Sequence, residues 1–185
     1  MAQNSYQQLH VDLDGSFAPE NIFDLRAEYA DVAVLLGQMA QERDCILALS
    51  MDPGTPRFFL GEPQPIREII FSLVKSSLLD ADVDIVNVRI GSVGTALLGR
   101  HRLEILVASN GTALPPKQMT LFDLTPKSPP RRNSYAALQN RHRIYQINKL
   151  LGPLNGTLRI EDVYGRGPRY IARFHLTKVI AGNTS

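Results

Sequence analysis

The feature that most constrains the fold of this chain is residues 65–78, PIREIIFSLVKSSL, which follow a Gly-Glu-Pro turn. Apolar side chains recur there at spacings of three and four residues, which predicts an α-helix with one buried side. Such a helix needs a second layer of structure to cover its apolar side. The residues predicted to lie on that side are Ile66, Ile69, Ile70, Leu73, Val74 and Ser77.

Two more helices are predicted from the same kind of periodicity. One begins after Asp24, a suitable N-cap because its carboxylate can accept a hydrogen bond from a free amide of the first turn. The other covers residues 136–151 and is stopped by Gly152-Pro153. The predicted apolar face of the first of these helices consists of Leu25, Tyr29, Val32, Leu35, Leu36 and Met39.

The remaining apolar segments are short and are typical of β-strands. Residues 91–99 contain three glycines and are predicted to form a loop, and residues 110–135 contain five prolines and are predicted to form a long irregular connection. Helices and strands mixed in this order predict an α/β two-layer sandwich, with a mixed, mostly antiparallel sheet and helices on one face. The predicted strands are residues 45–51, 57–60, 83–90, 103–107, 156–161 and 169–176.

The length of 185 residues is sufficient for one domain with a hydrophobic core. We assign residues 1–22 to a tail or linker, 23–178 to the domain and 179–185 to a C-terminal tail. No apolar run approaches the roughly 20 residues of a membrane span, and the polar start has no signal-peptide core. We therefore expect a cytoplasmic protein, attached to a membrane only through parts of a longer chain. Cys45 lies in an apolar run and is predicted to be a buried, inert thiol.

The net charge of +2 hides an asymmetry along the chain. Residues 1–62 carry ten acids and three bases, whereas residues 63–185 carry seventeen bases and eight acids. No acid lies between Asp123 and Glu161, so residues 127–143 form a basic stretch. This pattern is compatible with a solvated surface, a phosphate-facing lid or a docking surface for an acidic partner. Nucleic acid is not expected as a partner, since two tyrosines do not make a stacking platform.

Several segments, taken in order, resemble the catalytic and ATP-binding domain of hybrid sensor histidine kinases, which are GHKL (HATPase_c) ATPases. The helix at residues 65–78 resembles their asparagine box, which reads roughly Arg-Gln-Ile-Leu-x-Asn-Leu-x-x-Asn-Ala. Residues 148–161 resemble their last helix, its glycine stop and the next strand. Residues 165–167 and 171–176 resemble their final Gly-x-Gly turn and last strand. The resemblance covers roughly residues 20–178 and implies the same two-layer fold.

The resemblance also implies where a nucleotide pocket would lie, and the residues there depart from the family pattern. Ser76 replaces the asparagine that holds magnesium, and Ser109 replaces the aspartate that binds the adenine amino group. Gly111 matches the first glycine box but Ala113 does not, and residues 137–142 lack the glycines of the second box. We therefore expect no catalytic residue, no metal ligand, and neither ATP nor Mg²⁺ as cofactor. The vestigial pocket positions are Ser72, Ser76, Ser109, Gly111 and Ala113.

The predicted function is that of a non-catalytic pseudo-ATPase domain, which binds response-regulator or phosphorelay domains of a two-component pathway. A homodimer through helices that are missing from this sequence is a further expectation. One alternative is an active kinase domain in which Lys127, Arg131 or Arg132 supplies the phosphate-binding charge. Another is an anti-sigma or partner-switching protein. The four histidines have no metal-ligand spacing, and His142 is not expected to accept a phosphoryl group.

Overall fold

Among the residues that the computed structural model describes, seven β-strands form one mixed sheet and three α-helices cover one of its faces. The structure describes residues 22–79, 83–95, 99–110, 135–163 and 167–179. This architecture confirms the predicted α/β two-layer sandwich. The elements are β1 (Ile22–Asp24), α1 (Leu25–Gln41), β2 (Ile46–Met51), β3 (Phe58–Leu60), α2 (Gln64–Leu78), β4 (Ile85–Thr95), β5 (Arg100–Ser109), α3 (Tyr135–Leu151), a 3₁₀ turn (Gly152–Leu154), β6 (Thr157–Val163) and β7 (Gly167–Lys178).

The strand order is β1-β3-β7-β5-β4-β2, and β6 pairs with β7 beside the short β3. Among the described pairs only β2 and β4 run parallel, and β3 and α2 lie between them in the chain. A long connection of this kind is required, since parallel strands cannot be joined by a tight turn. All other described pairs are antiparallel, as predicted.

The core lies between the helices and one face of the sheet. Alternate residues of β4 and β5 point into it, and α2 packs at its centre between α1 and α3. All six residues predicted for the apolar side of α2 are fully buried, which confirms that prediction. The strand residues with the least exposure are Val86, Val88, Ile90, Leu103, Ile105, Val107, Ala172 and Phe174.

The start of α1 is also as predicted. Asp24 is its N-cap residue, and a carboxylate oxygen of Asp24 accepts a hydrogen bond from the Arg26 amide at 3.0 Å. Leu35 was predicted to be in the core, but 54% of it is exposed because α1 turns it toward a groove on the outside of the helical layer. Cys45 is half-buried rather than buried, since it lies just before the edge strand β2.

The glycine-rich segment after residue 90 also differs from the prediction. β4 continues to Thr95, so Gly91 lies within a strand instead of in a loop. The Asp52 carboxylate occupies the position that a Cβ atom of Gly91 would take, which explains the glycine there. Only Gly94 and Gly99 have positive φ angles among the described glycines of this segment. The prolines of the predicted long connection lie outside the described residues.

Helices of the described part of the chain are too short or too polar to cross a lipid bilayer. The first strand, β1, begins at Ile22 and pairs with β3.

Candidate functional site

Ser72 and Ser76, the two serines of α2 predicted to be vestigial pocket positions, lie one helical turn apart. Ser76 is buried, with 6% of its surface exposed, and its hydroxyl donates a hydrogen bond to the Ser72 carbonyl at 2.8 Å. Such a bond to the preceding turn is a common alternative for serine in a helix. The Ser76 hydroxyl is therefore directed along its own helix, and Ser72 is half-buried beside it.

Ser109 is the last residue of β5 and lies on the face of the sheet that the helices cover. It pairs with Val86, and 4% of its surface is exposed. Its Oγ has no hydrogen-bond partner among the described residues. Ser77, fully buried on α2, has an Oγ that likewise lacks a partner within the described ranges. Two buried hydroxyls without partners are costly, because each loses its hydration on folding.

Gly111 and Ala113 lie outside the described residues, as do Lys127, Arg131 and Arg132. The helix α3 covers residues 137–142, in agreement with the predicted helix at 136–151. The structure thus brings Ser72 and Ser76 together on α2 and places Ser109 on the same side of the sheet.

The described residues offer little other chemistry near these positions. Within them, no group of three or more His, Cys, Asp or Glu side chains could hold a metal ion. His101 packs edge-on against Phe59, with ring centroids 6.5 Å apart. Burial and the nearby Lys178 lower the pKa of His101, whose half-buried ring lies at the margin of the core.

A groove of about 540 Å³ crosses the outer surfaces of α1, α2 and α3. Its apolar lining comes from Val32, Leu35, Phe71 and Leu150. The ion pair between Arg67 and Glu28, with 3.2 Å between Nε and Oε2, joins α1 to α2 beside it. The sequence prediction missed this groove: it assigned Leu35 to the buried face of α1, and it left Phe71, an apolar residue outside the predicted buried side of α2, unexplained. The polar lining consists of Gln64, Arg67, Glu68, Ser72 and Gln146.

The face of the sheet that points away from the helices is rich in arginine. Two ion pairs lie on this face. Arg89 donates two hydrogen bonds of 2.7 and 2.8 Å to the Asp52 carboxylate, and Arg173 Nε lies 2.7 Å from Glu104 Oε2. Opposed strand residues share a face, so the register identifies the rest of this surface. We call it the open face; its charged residues include Arg89, Arg100, Arg102, Arg159, Arg169, Arg173, Asp52, Glu104 and Glu161.

Solved structures of histidine kinases share this fold. Full-length ShkA in complex with AMPPNP superposes with a TM-score of 0.62 and 15% identity, over 87% of this chain and 32% of ShkA. The nucleotide-free catalytic domain of ThkA gives a TM-score of 0.60 and 13% identity, over 85% of this chain and 95% of that domain. The mycobacterial sensor histidine kinase MprB gives 0.60 and 14%, over 86% of this chain and 99% of the MprB chain.

No family model matches the sequence, and no curated protein matches it. At 13–15% identity, the likeness to these solved structures is one of fold. This chain spans about a third of the length of ShkA. The order of elements, the mixed sheet and the three helices on one face give this chain the fold of the histidine kinase catalytic domain, as the sequence motifs predicted.

Proposed function

We propose that this chain is a histidine-kinase-like domain of a two-component pathway that has lost binding of Mg-ATP and acts by binding other proteins. The observation that carries the proposal is the hydrogen bond from the Ser76 hydroxyl to the Ser72 carbonyl. An asparagine at position 76 would offer a carboxamide oxygen to a metal ion. The shorter serine side chain instead directs its hydroxyl to the backbone of α2.

Ser109 supports the same conclusion. At the position where the resemblance implies an adenine-binding aspartate, the chain has a buried, uncharged hydroxyl without a partner among the described residues. A hydroxyl cannot provide the charged acceptor that strengthens a hydrogen bond from an amino group. Losing one such partner costs about 1–3 kcal/mol. The described residues therefore fit Mg-ATP poorly at both positions.

Calorimetric titration with Mg-ATP and with ADP tests this part of the proposal. We expect no heat of binding and no thermal stabilisation at millimolar nucleotide. Ser76→Ala is the matched control, since it removes the hydroxyl and nothing else. Micromolar binding that weakens in Ser76→Ala would mean that Ser76 contacts the metal, and the alternative of an active kinase domain would then hold.

The open face supports the choice of an acidic protein as partner. Its six arginines outnumber its three carboxylates, and its half-buried centre includes Leu106 and Ile171. A surface that combines positive charge with apolar side chains favours proteins with negative surface charge, such as the proposed response-regulator or phosphorelay domains. The described open-face positions of β5, β6 and β7 hold no phenylalanine or tyrosine, so they offer no stacking platform for a nucleic acid.

A binding measurement with purified receiver domains tests the partner. We expect Arg102→Glu, on the open face, to weaken binding at low salt, whereas Arg26→Glu, on α1, changes the net charge equally and leaves binding intact. Added salt should weaken the wild-type interaction, because exposed charges are screened. Equal loss of binding in both variants would show that only net charge matters and would refute the open face as the docking surface.

A further inference from the structure

The strand β2 forms an edge of the described sheet and lacks the charged residues and prolines that commonly prevent pairing with another chain. It pairs with β4 in an unbroken parallel register from Ile46 to Met51, and no described strand lies on its other side. Natural edge strands are commonly guarded by lysines, prolines or bulges, because an open edge can pair with another chain. The sequence of β2, ILALSM, has no charge and no proline, and Ile46 is 63% exposed.

The hydrogen bonds at the two ends of β2 show which backbone groups point outward. The Ile46 amide donates to the Asp84 carbonyl, and the Asp52 amide donates to the Ile90 carbonyl. The backbone amides and carbonyls of the even-numbered residues of β2 therefore point toward the neighbouring β4. In a parallel strand the amide and carbonyl of one residue point to the same side. Leu47, Leu49 and Met51 therefore direct their backbone groups away from β4, and these groups have no partner among the described residues.

The other edges of the described sheet differ from β2. β1 has only three residues, Ile22–Asp24, and ends in a charged side chain. β6 carries Arg159 and Glu161, and these charged side chains disfavour pairing with another strand. Within the described ranges, β2 is thus the one long edge that is free of charge.

We propose that β2 binds the β2 strand of a second copy of this chain, antiparallel and about a two-fold axis that passes between Leu49 and Leu49 of the partner subunit. In this register Leu49 opposes Leu49 of the partner subunit, and Leu47 opposes Met51 of the partner subunit. Each outward-facing residue then exchanges two hydrogen bonds with its opposite number, about six in all. Every unpaired group of the edge becomes satisfied, and the two sheets join into one.

The side chains fit the same register. Leu47, Leu49 and Met51 are half-buried and pack against the core, so pairing covers their remaining apolar surface with that of the partner subunit. On the open face Ala48 opposes Ser50 of the partner subunit, and both residues are exposed and uncharged. No like charges meet within the paired strands. A contact of one edge with itself closes at two copies, so it gives a dimer and not a fibre.

The helix above this edge leaves room for the second copy. α2 lies against one flank of α1, and the opposite flank, which faces the β2 edge, carries Ala30, Ala33 and Gly37 at spacings of three and four. Nothing lies within 4 Å of the position that a Cβ atom of Gly37 would take. Small uncharged side chains there allow two α1 helices to pass close to each other.

Sedimentation velocity of the full chain tests the dimer and its register with two variants. Ala48→Glu/Ser50→Glu places like charges opposite each other across the axis, whereas Ala48→Lys/Ser50→Glu places opposite charges there. Both variants share the Ser50→Glu substitution beside Arg89 and lose the same bond from the Ser50 hydroxyl to Val88, so that change affects the two monomers equally. We expect the doubly acidic variant to dimerise about tenfold more weakly than the complementary variant.

Three outcomes would overturn the proposal. The wild type could be a monomer at all concentrations up to about 0.5 mM, which lies far above typical specific affinities. The two variants could dimerise equally, which would place the interface elsewhere. Hydrogen exchange could find the amides of Leu47, Leu49 and Met51 protected in a monomer, which would mean that another segment of the chain, such as residues 1–21, covers the edge. The proposal requires protection of these amides that increases with protein concentration.

Discussion

At the scale of single residues, the neighbours Ser76 and Ser77 differ in the hydrogen bonding of their hydroxyls. Both are buried in α2, but the Ser76 hydroxyl donates to the Ser72 carbonyl while the Ser77 hydroxyl has no partner in the described part of the chain. The sequence places both on the same helix and predicts burial only for Ser77. Which of the two is hydrogen-bonded depends on the rotamer that the packing around each residue allows.

This contrast predicts that the Ser77→Ala variant is more stable than the Ser76→Ala variant, with a free energy of unfolding about 1 kcal/mol higher. The two substitutions change helix propensity equally, but only Ser76→Ala removes a hydrogen bond, and Ser77→Ala removes an unsatisfied group. Urea unfolding followed by circular dichroism measures both. A lower stability of Ser77→Ala than of Ser76→Ala would contradict the surroundings described for these hydroxyls.

Tyr29 gives a second residue-scale prediction, in alkaline solution. Burial raises its pKa to about 12, and its hydroxyl donates to the Val88 carbonyl at 3.4 Å. In the unfolded chain the Tyr29 hydroxyl ionises near pH 10, at a lower pH than in the folded protein. Ionisation therefore favours the unfolded state, and the free energy of unfolding falls as the pH rises from about 10 to about 12. Unfolding midpoints should therefore fall less steeply over this range in Tyr29→Phe than in the wild type. Equal slopes would show that Tyr29 ionises normally in the folded protein.

At the scale of elements, the start of α1 depends on one carboxylate. Asp24 caps the helix, and its second oxygen accepts a bond from Arg57 Nε at 2.8 Å, which ties α1 to the start of β3. Burial by itself raises the pKa of Asp24, but the hydrogen bonds from Arg57 and from the amides of Arg26 and Ala27 outweigh it and lower the pKa below its usual value. The charged form therefore stabilises the fold.

We expect Asp24→Ala to destabilise the protein by about 1–2 kcal/mol, within the range measured for lost N-caps. Asp24→Asn keeps an oxygen that can cap the helix and should cost less at pH 7. Because the folded pKa is lowered, the wild-type advantage over Asp24→Asn is present above pH 4 and is lost as the pH falls through the folded pKa. Denaturation midpoints at pH 7 and pH 3 give this comparison. A difference that persists undiminished at pH 3 would mean that the charge plays no part.

The turn between α3 and β6 depends on a glycine. A Cβ atom at Gly156 would lie 2.9 Å from the Arg173 carbonyl oxygen and 2.8 Å from Leu151 Cδ2, whereas a Cβ atom at Gly54 would meet nothing within 4 Å. Gly156→Ala should therefore lower the thermal midpoint by several degrees, since β7 cannot move without breaking its pairs with β5 and β6. Gly54→Ala should leave the midpoint nearly unchanged. Similar effects of both substitutions would refute the close approach at Gly156.

At the scale of the whole molecule, helices cover one face of the sheet, and no described helix or strand covers the other face. The open face is basic and the β2 edge is uncharged, so the two surfaces suit different partners: an acidic protein for the face and a second copy for the edge. They do not overlap at β5 and β7, which carry most of the arginines. A dimer through β2 could thus present two open faces to two partners.

The edge contact predicts that stability depends on protein concentration. If only folded chains pair, the thermal midpoint of the wild type rises with concentration, because association stabilises the folded state by mass action. In Ala48→Glu/Ser50→Glu this dependence should be weaker than in Ala48→Lys/Ser50→Glu. Scanning calorimetry over a hundredfold range of concentration provides the comparison. A midpoint that is independent of concentration in the wild type would argue against a dimer.

The sequence by itself determined the order of helices and strands apart from the three-residue β1, the N-cap at Asp24 and the buried side of α2. These features depend on the spacing of apolar and capping residues within one segment, and such local patterns survive in any environment that buries one side. The resemblance of short motifs to those of histidine kinases predicted the fold of the histidine kinase catalytic domain. It also predicted that Ser72, Ser76 and Ser109 are positions of a vestigial nucleotide pocket.

Only the tertiary structure decided the exposure of Leu35, the continuation of β4 through Gly91 and the position of β2 at an edge of the described sheet. Each depends on residues far apart in the chain: α1 packs on α2, the Asp52 carboxylate fills the space beside Gly91, and β2 pairs with β4 after a long helical connection. Local periodicity cannot specify which strand remains unpaired, because pairing is a property of the whole sheet.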